Sequence, residues 1–295
     1  MKFNKPHLTL EEQLTLLENR GLIVSDRQQA KYYLGHLNYY RLSGYWFPFK
    51  LSPTIDKFRQ NTSFQDILNL YIFDRELRLL ILNAIEQIEV SVRSKWAYHF
   101  CQKHGSHAHL NSNLFRDFQQ HSEAVLSIAK SASKSKEPFI IHLNKTYDEI
   151  LPPLWALVEI MTFGQLSRWF SMLKRRKDKN LVAHEYDMDE KNFGSILHHL
   201  TVVRNKCAHH NRLWNCEFTI IPTLPNKKPV SIVKSLNQSQ KRKLYNTLVI
   251  LIHLLDKISP SHSWKSRLIE VINKHQIDVR KMGFPEHFEN LPIWH

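Results

Sequence analysis

The stretch FQDILNLYIFDRELRLLILNAIEQIEVSVRSKWAYH, residues 64–99, carries the longest helical pattern in the chain. Its apolar residues recur near the period of 3.6 residues that defines one face of an α-helix. They are Ile67, Leu70, Leu77, Ile81, Ile85, Ile88 and Val92. Thr62 or Ser63 precedes the pattern and supplies a hydroxyl that caps a first helical turn. The stretch therefore predicts one long amphipathic helix and a mainly α-helical fold.

Two acid–arginine pairs lie within this stretch at a spacing of four residues. Asp74 precedes Arg78, and Glu89 precedes Arg93. Side chains four residues apart are neighbours on a helix, and the acid-first order suits the helix dipole. Both pairs are predicted to form ion pairs along the helix surface. Glu89 and Arg93, with Glu86 one turn earlier, are also candidates for a polar cluster that faces a functional site; a solvated helix face with routine ion pairs is the alternative.

The rest of the chain also favours helices over a turn-rich β architecture. Only 7 of the 295 residues are glycine, 42% are hydrophobic, and Leu/Ile-rich stretches run without interruption. After Trp214, β-favouring residues followed by prolines predict an extended segment or a small β-hairpin. The apolar tail after Met282 is expected to dock back on the body. Further helices are predicted at residues 8–20, 26–37, 112–131, 153–161, 193–203, 238–257 and 261–274.

The charge balance is strongly basic, with a formal net charge of +14 and a pI of about 9.6. Solubility alone is one explanation, but a broad positive field in a chain that also holds 18 histidines and many aromatic residues is better explained by a polyanionic partner. Nucleic acid is therefore the expected partner class.

The cysteine count and the hydropathy pattern predict a soluble cytoplasmic protein. Three cysteines with no paired spacing do not form a disulfide framework, which fits a reducing compartment. Residues 1–10 lack the apolar run of a signal peptide. The most apolar window, residues 248–255, contains a histidine and is too short to span a bilayer, so no membrane partner is expected.

The densest group of functional side chains lies in VRNKCAHHNR, residues 203–212, at the end of an apolar helical pattern. A fixed cation beside an imidazole that takes or gives a proton near neutral pH is what metal-free RNA cleavage requires. We assign His209 as the acid/base, Arg204 as the clamp on the phosphate, and Asn205 as the residue that orients either of them. No cofactor is expected.

The spacing constrains how these residues meet. Residues five apart on a regular helix lie about 140° apart around its axis, so Arg204 and His209 do not share one face. Either the helix ends or bends between them, or the side chains converge from two copies of the protein. A site shared across a two-fold homodimer holds two Arg/His pairs. Supporting or RNA-binding candidates are His210, Arg212, Lys206, Arg41, Glu89, Arg93, Lys174, Arg175 and Arg176.

Two simpler interpretations of the same stretch stay open at this point. An arginine with a histidine five positions later also occurs at ordinary capped helix ends. A zinc site is the other alternative, although its spacings match none of the usual ligand pairs. Its ligands would come from Cys207, His209, His210, His198 and His199. Elsewhere, the three histidines in the Gly/Ser-containing loop 104–109 are expected to be exposed to solvent.

Two further stretches carry candidate RNA contacts. Residues 39–49, YYRLSGYWFPF, hold six aromatic residues and Arg41. They predict either a hydrophobic plug that docks the N-terminal helices or a base-stacking platform with the arginine on a phosphate. Residues 174–179, KRRKDK, hold five cations and predict either a solvated surface or a phosphate grip.

Four stretches together resemble the Abi-like family of bacterial abortive-infection proteins, of the AbiD/AbiF type. They are YYRLSGYWFPF at 39–49, LYIFDRELRLLILNAIEQIEVSVRS at 70–94, LPPLWALVEIMTFGQLS at 151–167 and VRNKCAHHNRLWN at 203–215. The terminal GFP…W is also similar to that family, so the resemblance covers most of the chain.

The resemblance implies a HEPN-type helical bundle with extra N- and C-terminal helices. The HEPN hallmark is an arginine, a polar residue, and a histidine after four to six intervening residues, which Arg204, Asn205 and His209 match. Such proteins are similar to metal-independent ribonucleases that act as dimers and to the nuclease part of RNA-guided type VI CRISPR effectors; some are associated with a small non-coding RNA. HEPN toxins silenced by nucleotide transfer carry a tyrosine two residues after the histidine, where this chain has Asn211.

The sequence thus predicts a HEPN-type endoribonuclease of a phage-defence or toxin–antitoxin system. The expected parts are a helical and aromatic docking module at 1–60, the HEPN-type core at 61–215, and an extended segment with a helical pair at 216–295. The rival prediction is a non-catalytic protein that holds a small RNA in the same basic cleft. A DNA-binding regulator is a third option, but no helix-turn-helix signal supports it.

Overall fold

The computed structural model describes residues 2, 4 and 6–295. The expectation of no signal peptide rests partly on residues 1, 3 and 5, which lie outside the described residues. Over the described range the fold is mainly α-helical, with only isolated β-bridges and no strand. The α-helices are α1 (Leu10–Asn19), α2 (Arg27–Leu37), α3 (Tyr39–Trp46), α4 (Phe64–His104), α5 (Phe118–Lys134), α6 (Pro138–Thr146), α7 (Leu154–Ile160), α8 (Phe163–Met172), α9 (Arg176–Ala183), α10 (Glu190–Ala208), α11 (Val230–Ser235), α12 (Tyr245–Ile258) and α13 (Trp264–His275).

The chain forms two compact units. The first comprises the residues up to Arg78 together with Ile269–Ile277, and the second comprises Leu79–Leu268 and Asp278–His295. The long helix α4, predicted from its apolar periodicity, is confirmed and contributes residues to both units. The three-part division predicted from the sequence stays a prediction.

The start of the first unit follows local capping rules. The Thr9 hydroxyl accepts from the Glu12 N–H at 3.3 Å, and the Glu12 carboxylate accepts from the Thr9 N–H at 2.7 Å, which is the capping box expected from the sequence. Leu14 and Leu17 are fully buried. Gly21 follows α1 with a φ of +92°, a left-handed conformation that favours glycine.

The Asp74–Arg78 pair lies in the core of this unit. The ion pair forms as predicted, but its expected place on the surface is wrong, because the two side chains are only 0% and 5% exposed. The Tyr45 hydroxyl donates to Asp74 Oδ2 at 2.7 Å and accepts from Arg78 Nη1 at 3.1 Å. Burial and then the charge of Asp74 raise the pKa of Tyr45, so the phenol stays neutral. The aromatic residue that closes this pair comes from α3, which the periodicity of α4 does not reveal.

In the second unit, α8 and α10 run antiparallel against each other. A methyl group added at Gly164, early in α8, would lie 3.5 Å from Thr201 Cγ2, late in α10. One added at Gly194, early in α10, would lie 3.3 Å from the Phe170 ring, late in α8. Moving along α10 towards its C-terminus therefore leads back towards the turn that precedes α8.

Helix α12 and the C-terminal tail complete the core of the second unit. Every residue from Tyr245 to Leu255 is buried, and the ring of Trp294 stacks on that of Tyr245 with their centroids 6.2 Å apart. Ile293 is buried and its N–H donates to Ser235 Oγ at 3.1 Å. The C-terminal helical pair and the docking of the tail are thus confirmed.

The segment after Trp214 is extended, as predicted, but no β-hairpin forms in it. The N–H of Phe218 donates to the Arg242 carbonyl at 2.9 Å. Pro222, Pro225 and Pro229 lack the N–H groups that a second strand would need for a hairpin ladder. Among the described residues, no helix combines the length and the apolar character needed to cross a membrane.

Candidate functional site

Helix α10 ends at Ala208, between the two residues assigned as clamp and acid/base. The N–H of His210 donates to the Cys207 carbonyl at 3.0 Å, and that of Asn211 donates to the Lys206 carbonyl at 2.9 Å. His210 has a φ of +57°. These two bonds and the left-handed residue form a Schellman motif, in which a residue other than the usual glycine holds the left-handed position. The expectation that the helix ends between Arg204 and His209 is confirmed.

Apolar anchors on either side fix this helix end. Val203, Cys207 and Leu213 are at most 1% exposed. Between them Arg204 is half-buried, whereas His209 is exposed. The backbone that carries the imidazole is therefore rigid while the ring itself is accessible to solvent, which is what a residue that exchanges protons with a bound polymer needs.

Asn205 contacts the arginine. The Arg204 Nη1 group donates to Asn205 Oδ1 at 3.1 Å. Of the two roles assigned to the amide, the orientation of a phosphate clamp is the one that this contact supports.

The packing of α8 against α10 places Arg204 near a second set of polar groups. Gly164 of α8 faces Thr201 of α10. Because the two helices are antiparallel, Arg204, three residues after Thr201, lies at about the level of Met161, three residues before Gly164. Arg93 Nη2 donates to the Met161 carbonyl. The end of α10 and the middle of α4 thus converge on the turn between α7 and α8.

The Glu89–Arg93 pair forms at this turn. Arg93 Nη2 also donates to Glu89 Oε1, and its Nη1 donates to the Glu159 carbonyl at 3.3 Å. The side chains are 13% and 15% exposed, so this pair is also more buried than the predicted surface pair. Burial raises the pKa of Glu89, while the positive charges of Arg93 and Arg204 act to lower it. The Glu89–Arg93 part of the predicted cluster is thus formed; that the cluster of Glu86, Glu89 and Arg93 faces the 204–209 stretch stays a prediction.

Other candidates beside the helix end have mixed surroundings. The Lys206 ammonium lies over the Phe218 ring, 6.0 Å from its centroid. His210 is exposed and Arg212 is half-buried.

The run 174–179 is partly surface and partly core. Lys174, Arg175 and Arg176 are exposed, and Arg176 Nε pairs with Glu190 at 2.5 Å. Asp178 is buried and is bound by the side chains of Lys103 and His104. Lys179 is buried too; its Nζ donates to the Ser171 carbonyl at 2.5 Å, and burial lowers its pKa to about 8.

Two of the six residues in that run are thus structural, because helix α9 begins inside it and turns them inward. The exposed arginines and Lys174 remain as candidate phosphate contacts. The sequence carried a signal of this split: the single acid in the run, Asp178, requires cationic partners when it is buried.

Arg41 lies in the first unit, whereas the other candidates lie in the second. It is exposed on α3. Tyr45 and Trp46 of the same stretch are buried, but Tyr40 is 73% and Phe47 is 52% exposed. The buried rings of Tyr45 and Trp46 are what a hydrophobic plug requires, and the exposed rings of Tyr40 and Phe47 are accessible for stacking; both interpretations stay predictions.

His199 is not available as a ligand of the zinc site considered as an alternative. One ring nitrogen of this buried histidine lies 2.7 Å from the Ile220 carbonyl and the other lies 2.8 Å from Thr247 Oγ1, so neither is directed at Cys207 or His209. Within the range that the structure describes, no group of three or more His, Cys, Asp or Glu residues could hold a metal ion.

The expectation that the histidines of loop 104–109 are exposed is wrong. His104 lies 3.1 Å from Asp178 Oδ2 and is nearly buried. His109 is fully buried, and burial lowers its pKa to about 4. Its carbonyl lies 2.8 Å from Nε2 of His121, which the sequence did not single out. The short 3₁₀ turns at Ala108–Leu110 and Ser112–Leu114 fold this loop inward, and no periodic pattern signals them.

Comparisons with known proteins give one match. The model of the family described as Abi-like protein matches residues 32–215. The matched range includes α4, α8, α10 and the whole Schellman motif. No curated protein and no solved structure matches the chain.

Proposed function

The chain belongs to the Abi-like protein family, which points to a role in abortive infection, and from that premise we propose that it is a metal-independent endoribonuclease of a phage-defence or toxin–antitoxin system. One observation carries the proposal: a half-buried Arg204 and an exposed His209 flank a rigid helix end. The HEPN placement implied by the sequence resemblance belongs to the same proposal.

The proposed reaction is an in-line transfer within the RNA backbone. Neutral His209 takes the proton of a ribose 2′-OH, and the 2′-oxygen attacks the adjacent phosphorus. Arg204 binds the non-bridging oxygens, where negative charge builds up in the transition state. The 5′-oxygen leaves with a proton, and the products are a 2′,3′-cyclic phosphate and a 5′-hydroxyl.

A homodimer supplies the second proton-transfer group. One copy of the chain provides one His209, while the reaction needs a base at the 2′-oxygen and an acid at the 5′-oxygen. Two helix ends related by a two-fold axis bring two Arg/His pairs to one phosphate. The exposure of His209 and His210 supports such sharing.

RNA is the proposed substrate, and a small non-coding RNA is the proposed regulatory partner. The net charge of +14 and the exposed side chains of Lys174, Arg175 and Arg41 support electrostatic binding of a phosphate backbone. The second candidate function is a non-catalytic protein that holds such an RNA. It rests on the same basic surface but gives no role to the pairing of Arg204 with His209.

The test is cleavage of mixed RNA in EDTA by the purified chain, stripped of co-purified RNA. His209→Ala should lower the rate by about 100-fold or more, because a general acid/base contributes roughly 10²–10⁴-fold. His198→Ala is the matched control, since it removes another exposed imidazole from the same helix. Product ends are analysed for 2′,3′-cyclic phosphate.

Three results would contradict parts of the proposal. RNA binding without cleavage by any of the three proteins favours the non-catalytic function. Equal loss of activity in the His198 and His209 variants removes His209 from the chemistry. A large fall in the melting temperature of His209→Ala marks that histidine as structural.

A further inference from the structure

A cavity of about 360 Å³ lies in the second unit, between the end of α4 and the segment that joins α6 to α7. Its walls include Ser106, His107, Tyr147, Glu149 and Trp155. None of these residues belongs to α10 or to the Schellman motif that follows it. The volume lies in the range of roughly 300–1,000 Å³ that is usual for small-molecule sites, so the cavity has room for one small ligand.

The chain holds the walls of this cavity in place. Gly105 follows α4 with a φ of +89°, a left-handed conformation that favours glycine. The next carbonyl, of Ser106, accepts from the N–H of Leu154 at 2.9 Å and so ties the end of α4 to the start of α7. Pro152 and Pro153 also line the cavity, and their rings restrict the backbone there. Walls that are fixed in advance lower the ordering cost of binding.

One polar atom of the wall lacks a protein partner. Nδ1 of His107 lies 3.0 Å from the Ser106 hydroxyl, whereas Nε2 of the same ring is buried and has no hydrogen-bond partner among the residues that the structure describes. A buried ring nitrogen without a partner costs free energy. A group in the cavity is the partner that this atom requires. Depending on the tautomer, Nε2 donates or accepts.

Two exposed aromatic rings line the same cavity. Tyr147 is 56% exposed and Trp155 is 54% exposed. Trp155 also lines a second cavity, of about 510 Å³, together with the exposed ring of Tyr98. The indole of Trp155 therefore has open space beside it in both cavities. Exposed aromatic faces of this kind are what unpaired nucleobases stack on.

The charge in the wall selects against a phosphate. Glu149 is an acid, and no lysine or arginine is present among the described residues that line the cavity. A carboxylate only accepts hydrogen bonds, so the ligand must present N–H groups. Guanine presents two such groups side by side, N1–H and N2–H₂. A simple cation satisfies Glu149 but not the His107 tautomer that donates from Nε2, whereas a base edge with donors and acceptors satisfies either tautomer.

We propose that this cavity binds one unpaired nucleobase, guanine by preference, with its plane against Trp155 and its polar edge on Glu149 and His107. The base comes from a single-stranded RNA or from a free nucleoside, because both present the same ring. The inference goes beyond the proposed ribonuclease reaction: it assigns a binding site outside the stretch of Arg204 and His209, and it requires no cleavage.

The first test is calorimetric titration of the purified chain with guanosine and with uridine. Neither nucleoside carries a phosphate, so the net charge of +14 does not drive their binding. Guanosine should bind, and uridine should bind about 10-fold more weakly, because uracil offers one N–H where guanine offers two adjacent groups. Uridine that binds as tightly as guanosine overturns the preference for guanine.

Trp155→Ala tests the stacking. It removes an exposed ring and should weaken guanosine binding about 5- to 100-fold, as for the loss of one base–aromatic stack. Trp155→Phe retains a smaller ring and should recover part of that loss. Phe118→Ala is the matched control, since it removes another exposed ring that lines neither cavity. Equal affinity for guanosine in wild type and Trp155→Ala, or equal loss in Trp155→Ala and Phe118→Ala, overturns the proposal.

Glu149→Gln tests the hydrogen bonds to the base. Glutamine replaces one accepting oxygen with a donating amino group, so the affinity for guanosine should fall to near that for uridine. Asp148→Asn is the matched control, because it removes the charge of an exposed neighbour that does not line the cavity. An unchanged preference for guanosine in Glu149→Gln overturns the assignment of Glu149.

Two 2′-O-methyl hexanucleotides, one with a single guanine and one of uracil alone, distinguish the sources of the base. They have no free 2′-OH, so the proposed reaction does not cleave them. If the base comes from RNA, the guanine strand should bind more tightly than guanosine and than the uracil strand, and Trp155→Ala should abolish the difference between the strands. If guanosine binds as tightly as the guanine strand, the ligand is a free nucleoside.

The remaining outcomes separate this site from its alternatives. If neither guanosine nor the guanine strand binds in a way that depends on Trp155, the proposal is overturned. Tetramethylammonium that binds in their place, with the same dependence on Trp155, identifies a site for cations. A chain that binds guanosine at Trp155 but cleaves no RNA refutes the proposed ribonuclease function, while the nucleobase site stands.

Discussion

Helix α4 carries the same acid–arginine pair twice, and the two copies have different surroundings. Asp74 and Arg78 are closed off in the core of the first unit by the hydroxyl of Tyr45. Glu89 and Arg93 lie at a turn in the second unit, where the arginine is bound by backbone carbonyls and the acid is acted on by the charge of Arg204.

The difference shows that a spacing of four residues on a helix determines which side chains form an ion pair, but not whether that pair serves stability or function. Both pairs form because residues four apart meet on a helix. The first pair is complete within the core, so its contribution is to stability. The second has a carboxylate whose charged form burial disfavours and on which the charge of Arg204 also acts, and such perturbed groups are common at functional sites.

The largest expected effect is on the first pair. Asp74→Ala leaves the buried Arg78 guanidinium without its anion, and it should lower the free energy of unfolding by about 3–5 kcal/mol. Urea denaturation measures the loss. Replacing both residues together, as Asp74→Leu with Arg78→Met, should lose less because no buried charge is left alone. A loss below about 1 kcal/mol for Asp74→Ala would mean that water reaches the pair.

The next effect concerns the third charge that distinguishes the second pair. Arg204→Lys keeps a cation but replaces the planar fork with a point charge, and kcat should fall about 100-fold with little change in stability. Single-turnover cleavage in EDTA measures the rate, and Arg168→Lys, on the exposed face of α8, is the matched control. Near-normal turnover by Arg204→Lys would exclude a bidentate phosphate clamp.

The smallest effect is the pH dependence of stability at Glu89. Burial raises its pKa in the folded state above the ordinary value of 4.5. The contribution of protonated Glu89 to the free energy of unfolding is therefore fully present below about pH 4.5 and is lost as the pH rises through the folded-state pKa. Relative to Glu89→Gln, the wild type should lose stability over that window, by at most about 1.4 kcal/mol per pH unit, and then reach a plateau.

Glu190 provides the opposite control. Its hydrogen bond with Arg176 lowers its pKa in the folded state. Relative to Glu190→Gln, the wild type should therefore lose stability as the pH falls through that lowered value. Urea midpoints between pH 3 and pH 8 measure both differences. The same sign of pH dependence at Glu89 and Glu190 would mean that ion pairing outweighs burial at Glu89.

Much of the candidate site could be predicted from the sequence because it is local in the chain. Arg204, Asn205 and His209 lie within one turn and one cap, so their spacing already predicted a helix end or bend between the clamp and the acid/base, or a site shared by two copies; the structure shows the helix end. The buried positions of Asp178, Lys179 and His109 could not be predicted in this way. Each depends on partners far along the chain or on short turns without a periodic signal.

The amino-acid sequence by itself determined the long helix α4, the capping box at Thr9, the two ion pairs of α4 and the arginine–histidine spacing, because each depends on residues within a few positions of one another. Helices α3, α6, α9 and α11 were not predicted. Only the tertiary structure decided that both ion pairs are largely buried and which groups surround each of them. The reason is that burial and the closing partners, Tyr45 for one pair and the α7–α8 turn for the other, come from segments that meet only when the chain is packed.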